Sequence, residues 1–121
     1  MITVGTDIID VARVGKKRDA VIKRVLVDNE CEYCMNSGDV NQTLAGHFAA
    51  KEAVYKALRV DKDNGISWKD IEIIHHENGM PEIVFHSKAK KYIDSSGLID
   101  IQISISHVKD FATATAICEW K

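Results

Sequence analysis

Glu52 and Lys56 stand four residues apart within the stretch from Leu44 to Leu58, so on a helix their side chains share one face. Taken alone, such a pair is a surface ion pair worth about 0.3–0.5 kcal/mol. Here the neighbouring positions are Ala45, Ala49, Ala53 and Ala57, a stripe of small residues that lets another element approach closely. A carboxylate and an ammonium therefore project from a wall that reads as buried, and burying a charge costs several kcal/mol unless a partner or a metal compensates it. Asp7, just after Gly5 at the end of the first apolar stretch, supplies a second carboxylate. It reads equally as a turn residue or as the cap of the next helix, a role for which Asp10 is as well placed. Carboxylates from two elements, with a lysine one helical turn away, suit a hard cation plus phosphates. Magnesium takes one or two protein carboxylates, keeps waters and completes its shell with substrate oxygens. Residue chemistry alone reaches phosphate handling and stops there.

Ser106-His107 closes an alternating apolar stretch and opens a turn. A hydroxyl and an imidazole there can both donate to a phosphate, although a lone histidine at a strand end is more often a structural hydrogen-bonder. Adjacent strand residues point to opposite faces, so the two do not form a hydrolase triad. Neither a G-x-S-x-G elbow nor a G-x-x-x-x-G-K-[ST] phosphate loop is present. His75-His76 alternates across a strand without a ligand pattern and reads as surface. Cys31 and Cys34 have C-x-x-C spacing but no second pair, and read as structural.

These residues must be positioned by a single core, because 121 residues leave no room for a second. A hydrophobic content of 45% and a charged content of 28% are ordinary for a globular protein, and a net charge of −2 argues against a general nucleic-acid binder. The charge is unevenly spread. Arg13, Lys16, Lys17, Arg18, Lys23 and Arg24 are opposed only by Asp19. This is either a solvated helix face or a docking strip for an acidic partner. Three cysteines, an odd number, suit a reducing compartment. Asp7 and Asp10 interrupt the first apolar stretch, unlike a signal peptide, and no apolar run is long enough for a bilayer. The expectation is a cytoplasmic protein with no membrane and no nucleic-acid partner.

Alternation predicts a short first strand from Ile2 ending at Asp7. Val21, Ile22, Val25 and Leu26 fall at helical spacing in the basic segment. Asp28 is placed to cap a short helix through Cys34, closed near Ser37-Gly38, and Asn41 to cap the longest helix, running to Leu58. In the second half Ile71 and Ile73 begin a strand, Asn78-Gly79 signals a hairpin, and Ile83 to Phe85 return. Ser87 to Ile93 reads as a short helix ending before Gly97. Ile101, Ile103 and Ile105 define the cleanest half-buried strand, and a tight turn leads into a last strand, Phe111 to Cys118, with a flat alanine face. The predicted fold is a single α+β domain, a long central helix packed on an antiparallel sheet.

Four segments in order carry a resemblance: V-G-T-D-I-I-D-V-A-R (Val4 to Arg13), L-A-G-H-F-A-A-K-E-A-V-Y-K-A-L (Leu44 to Leu58), N-G-M-P (Asn78 to Pro81), and I-S-I-S-H with a following F-A-T-A (Ile103 to Ala114). Together they resemble holo-acyl-carrier-protein synthase, the short class of the phosphopantetheinyl transferase superfamily. The resemblance implies one transferase domain over 1–121, moving the 4'-phosphopantetheine of coenzyme A to a serine of apo acyl carrier protein for fatty acid biosynthesis and releasing 3',5'-ADP. It implies that Asp7 and Glu52 hold magnesium and that Lys56 neutralises the diphosphate, making these three the catalytic set. The serine proton would pass to Glu52 or to a metal-bound water. Ser106 and His107 would reach coenzyme phosphates from a neighbouring subunit of a homotrimer, and Asn78, Gly79 and Pro81 would line the nucleotide end. Arg13, Lys16, Lys17 and Arg24 would dock the acidic carrier.

Three departures bear on coenzyme affinity and carrier choice. His47 stands where many relatives carry arginine, exchanging a permanent positive charge near the coenzyme for a titratable one. The segment Arg59 to Gly65 lacks a glycine-rich G-T-G. Ile9 is apolar where longer relatives carry a third acidic ligand, a place left to water. The rival readings are the same chemistry on a polyketide or peptide synthetase carrier, a non-catalytic module binding an acidic protein, and a metal-dependent phosphohydrolase.

Overall fold

The computed structural model describes residues 1–60 and 64–121; the middle of the segment expected to replace the G-T-G glycines lies outside the described residues. Strand β1 (Ile2–Asp10) leads into helices α1 (Val11–Lys16), α2 (Arg18–Val25), α3 (Asp28–Met35) and α4 (Val40–Leu58). A 3-10 turn at Trp68–Asp70 precedes the hairpin β2 (Ile71–His75) and β3 (Pro81–Phe85). Helix α5 (Ser87–Ser96) and strands β4 (Leu98–His107) and β5 (Phe111–Trp120) complete the chain. The three-stranded sheet has the order β1-β5-β4, every pair antiparallel, so the first and last strands are neighbours. This is the expected α+β domain, with α4 lying across the sheet.

One-sided alternation explains that packing. Thr3, Gly5, Ala112, Ala114, Ala116 and Cys118 point towards α4, and Ala45, Ala49, Ala53 and Ala57 meet them, all four fully buried. The approach is closest at Gly5, where a Cβ would run into the Ala53 carbonyl and the Ala57 amide. Thr3 Oγ1 donates to the Ala57 carbonyl at 2.6 Å and accepts from Trp120 Nε1 at 2.8 Å, which ties both terminal strands to α4.

Several boundaries differ from expectation. Strand β1 continues to Asp10 because Asp7 pairs with Ala114 inside the ladder. Asp7 is therefore neither turn nor cap, and Asp10 caps α1 by accepting the Arg13 amide at 3.1 Å. The basic segment is two helices, broken at Lys17. Asp28 begins α3 rather than capping it, and Glu30 takes the free Val27 amide at 3.2 Å. Asp39, not Asn41, caps α4 by accepting the Gln42 amide at 3.0 Å. Asn41 instead accepts two bonds from the Arg18 guanidinium. Helix α5 extends to Ser96 and stops at Gly97, whose φ of 85° terminates it.

Candidate active site

The edge strand β1 and the central helix α4 bring two carboxylates and an ammonium together. Lys56 Nζ lies 3.2 Å from Asp7 Oδ1 and donates to the Thr6 carbonyl at 2.9 Å. Glu52, one turn before Lys56 and half-buried, has its carboxyl pushed above the usual range. Burial is the main cause and the neighbouring Asp7 charge the second, with Lys56 opposing both. An Asp7–Lys56 ion pair thus stands beside a second carboxylate, Glu52, and two neighbouring carboxylates are the donor chemistry a hard divalent cation fits.

The expected coenzyme residues divide between places. His47, Gly79, Pro81 and His107 line one cavity of about 210 Å³, together with His75 and Tyr33. Lys56 follows His47 by nine residues, about two and a half turns, so the cavity and the carboxylate pair lie on opposite flanks of α4. The sheet agrees, since Asp7 is on the edge strand β1 and His107 on the other edge strand β4. Asn78 is absent from the cavity lining. Its Oδ1 accepts the Met80 amide at 3.0 Å, which shapes the hairpin around Gly79 (φ 85°). Ser106 shares neither place, because on β4 it points opposite to His107, to the face of the sheet away from α4.

Residues 3–116 match the model of the ACPS family, the 4'-phosphopantetheinyl transferase superfamily. The chain belongs to that superfamily. The holo-[acyl-carrier-protein] synthase of Caldanaerobacter subterraneus subsp. tengcongensis is 43% identical over 119 residues, covering 96% of this chain and 93% of its own. The solved holo-[acyl-carrier-protein] synthase of Neisseria meningitidis superposes with a TM-score of 0.89 at 29% identity, covering 98% of this chain and 99% of that one. The Helicobacter pylori holo-[acyl-carrier-protein] synthase in complex with coenzyme A superposes at 0.81 with 30% identity, covering 96% and 99%.

In this phosphopantetheinyl transferase the basic residues expected at a docking strip also separate. Arg13, Lys17 and Arg24 rim a cleft of about 620 Å³ floored by Val14, Val21, Phe48 and Trp68, with Ile8 and Phe111 beside them. Lys16 lies outside it, in a shallow depression with Arg18 and Asp19. Phe48, Glu52 and Lys56 follow one another at intervals of four along α4, so the cleft floor leads directly to the carboxylate pair.

Sequence reasoning missed a buried polar chain in the transferase. Lys51, fully buried, donates to Glu30 Oε1 and the Val25 carbonyl at 2.6 Å each and to the Trp68 carbonyl at 3.1 Å. Burial pushes its ammonium pKa down and Glu30 resists the shift. His47 Nδ1 donates to Glu30 Oε2 at 2.9 Å, and its Nε2 is 2.9 Å from His75 Nε2. His75, expected at the surface, is half-buried and stacks on Tyr33 with ring centres 3.9 Å apart. A signal existed in the helix. Leu44, His47, Lys51, Val54 and Leu58 follow a strict three-four spacing on the buried face, so two polar residues occupy apolar positions. Their partners Glu30 and His75 come from other elements and carried no such mark. Cys31 and Cys34 are both free on α3, and burial pushes the Cys34 thiol up to about 12, which makes it inert.

Proposed function

We propose that this chain transfers the 4'-phosphopantetheine group of coenzyme A to a serine hydroxyl of an apo acyl carrier protein, releasing 3',5'-ADP, as a cytoplasmic step in fatty acid biosynthesis. The observation that carries the reading is the meeting of Asp7 with Lys56, beside Glu52, at the end of a basic, apolar-floored cleft. Relatives that match nearly the whole chain include holo-[acyl-carrier-protein] synthases, and the Helicobacter pylori synthase is solved with coenzyme A.

Asp7 and Glu52 are the residues that would hold magnesium; when bound, it supplies positive charge to the diphosphate oxygens. Its fit rests on the donor set: Asp7 meets Lys56 at 3.2 Å, and Glu52 is close enough for the Asp7 charge to add to the burial that raises its carboxyl. Lys56 adds charge on the same side, where negative charge builds as the serine oxygen attacks the β-phosphate in line. Arg13, Lys17 and Arg24 attract an acidic carrier, and the apolar floor receives the buried side of an amphipathic helix. The floor delivers that partner to Glu52 along a single face of α4.

Coenzyme residues on both flanks of α4 suit a site shared between copies, as in a homotrimer. The face of the sheet away from α4 exposes Ile2, Val4, Ile8, Phe111 and Ile117, an apolar surface fit for another copy of the chain. On that face Ser106 is available to a neighbour's coenzyme.

Incubation with coenzyme A, magnesium and apo carrier, followed by mass measurement, tests the reading. A gain of one phosphopantetheine is expected on a fatty-acid carrier. No gain on any carrier overturns the transfer, and hydrolysis of coenzyme A without a carrier would indicate a phosphohydrolase.

A further inference from the structure

Among the described residues, the cavity containing His47 and His107 has no lysine or arginine in its lining. Its basic groups are three imidazoles, those of His47, His75 and His107. The nearest permanent cation on the same helix is Lys51, whose three ammonium protons are already taken by Glu30, Val25 and Trp68. Within this chain's described residues, the positive charge offered to an anion in this cavity is a proton carried by a histidine.

Hydrogen bonding specifies where that proton goes. Glu30 as a carboxylate only accepts, so His47 Nδ1 carries a hydrogen. The contact between His47 Nε2 and His75 Nε2 holds one hydrogen between two nitrogens. The remaining position is His75 Nδ1, a buried nitrogen without a hydrogen-bond partner among the described residues. Any further proton taken by the pair occupies this nitrogen, whichever ring then carries the greater charge.

We propose that the His47–His75 pair binds one proton at His75 Nδ1 when a phosphate monoester occupies the adjoining cavity, making coenzyme binding proton-coupled in this chain. The inference rests on the coenzyme reading above. Coenzyme A carries a diphosphate, assigned there to Asp7, Glu52 and Lys56, and a 3'-phosphate monoester that needs its own positive partner.

The surroundings suit such a poised pair. Burial holds the His75 pKa below the ordinary range, and His47 adds to the effect, so the ring is unprotonated at neutral pH without an anion. The Gly79 backbone, beside the ring but outside hydrogen-bonding geometry to Nδ1, and the Glu30 charge pull in the opposite direction. The parallel Tyr33 ring, 4° from the imidazole plane, offers its face to a protonated ring. Lys51 stands behind Glu30 on α4, and His107 faces the pair from β4. Beyond the hairpin His76 is paired to Glu82, and on β2 Glu72 is paired to His86. An anion in the cavity adds the one unbalanced negative charge and lifts the affinity of the pair for a proton. The linkage sign follows: affinity for the coenzyme falls as pH rises, by up to about tenfold per unit for one proton.

Calorimetry of coenzyme A binding at pH 7.5 to 8.5, in two buffers of different ionisation enthalpy, counts the protons. The phosphate monoester is already mainly dianionic there, with its second pKa near about 6, so a proton gained belongs to the protein. Uptake close to one proton is expected for the unmodified protein, and close to none with dephospho-coenzyme A. His75→Phe keeps the stack on Tyr33 and should bind weakly without uptake, whereas His47→Arg should bind with a flat pH profile. Binding without uptake in the unmodified protein, or uptake that persists in His75→Phe, overturns the proposal while leaving the coenzyme reading intact. Absence of coenzyme binding at every pH overturns both. The unmodified protein decides the matter even where a variant fails to fold.

Discussion

Asp7 Oδ1 and Lys56 Nζ lie 3.2 Å apart although 49 residues separate them in the chain. The contact exists because Gly5 lets β1 press against α4, which leaves Asp7, two residues on, at the flank of the helix where Glu52 and Lys56 emerge. Lys56 is half exposed and the pair adds little to stability. Its significance is the charge arrangement, an ion pair with a second carboxylate, Glu52, beside it.

Replacing Glu52 with glutamine removes a cation ligand without changing shape. Transfer to the carrier should fall by about 100-fold or more. The melting temperature should stay the same or rise slightly, because a carboxyl whose ionised form is disfavoured has been neutralised. Retained activity would return Glu52 and Lys56 to the status of a helix pair.

Magnesium should raise the melting temperature of the unmodified protein at pH 8, by binding the folded chain alone. The sign with pH follows from the raised Glu52 carboxyl. A raised pKa lets a proton compete for the ligand at a higher pH than for an ordinary glutamate, so the shift should shrink as pH falls towards 5. Chelator should abolish it, and Glu52→Gln should show little of it. A shift equal at both pH values would exclude carboxylate ligation.

Lys51→Met leaves Glu30 buried with His47 as its remaining ionisable partner. Removing one side of a buried pair costs about 3–5 kcal/mol, which urea denaturation should report as a lowered midpoint. Adding Glu30→Gln should recover part of that loss. A single variant as stable as the parent would mean that the pair is internally hydrated.

Arg13→Glu and Arg24→Glu place negative charge on the rim of the cleft. The KM for an acidic carrier should rise by about tenfold, with coenzyme affinity unchanged and the defect masked at high salt. Lys16→Glu, outside the cleft, should have a smaller effect. Equal defects in all three would indicate long-range attraction rather than a docking surface.

Val4→Lys puts a charge at the centre of the exposed apolar face of the sheet. If that face joins copies of the chain, light scattering should show smaller particles and activity should fall with them. An unchanged mass would remove the shared-site reading.

Local chemistry was enough to mark much of this protein in advance. Alternation at Ile101 to Ser106, the alanine stripe of α4 and the Asn78-Gly79 turn each announce their element, because side-chain period and turn geometry are properties of neighbouring residues. The Glu52–Lys56 spacing and the position of Asp7 likewise pointed to phosphate chemistry. Cap identities were harder to read, since Asp39 and Asn41 are equally able acceptors. Their choice depended on Arg18, a residue from another helix.

Tertiary structure alone decided which polar groups meet. Glu30 and His75 have no local pattern, and their pairing with His47 and Lys51 follows from how α3, the hairpin and α4 pack. It also decided that the residues expected to bind coenzyme fall on two flanks of one helix rather than in one pocket. A sequence records period and propensity along the chain, whereas burial and charge pairing depend on distances across it.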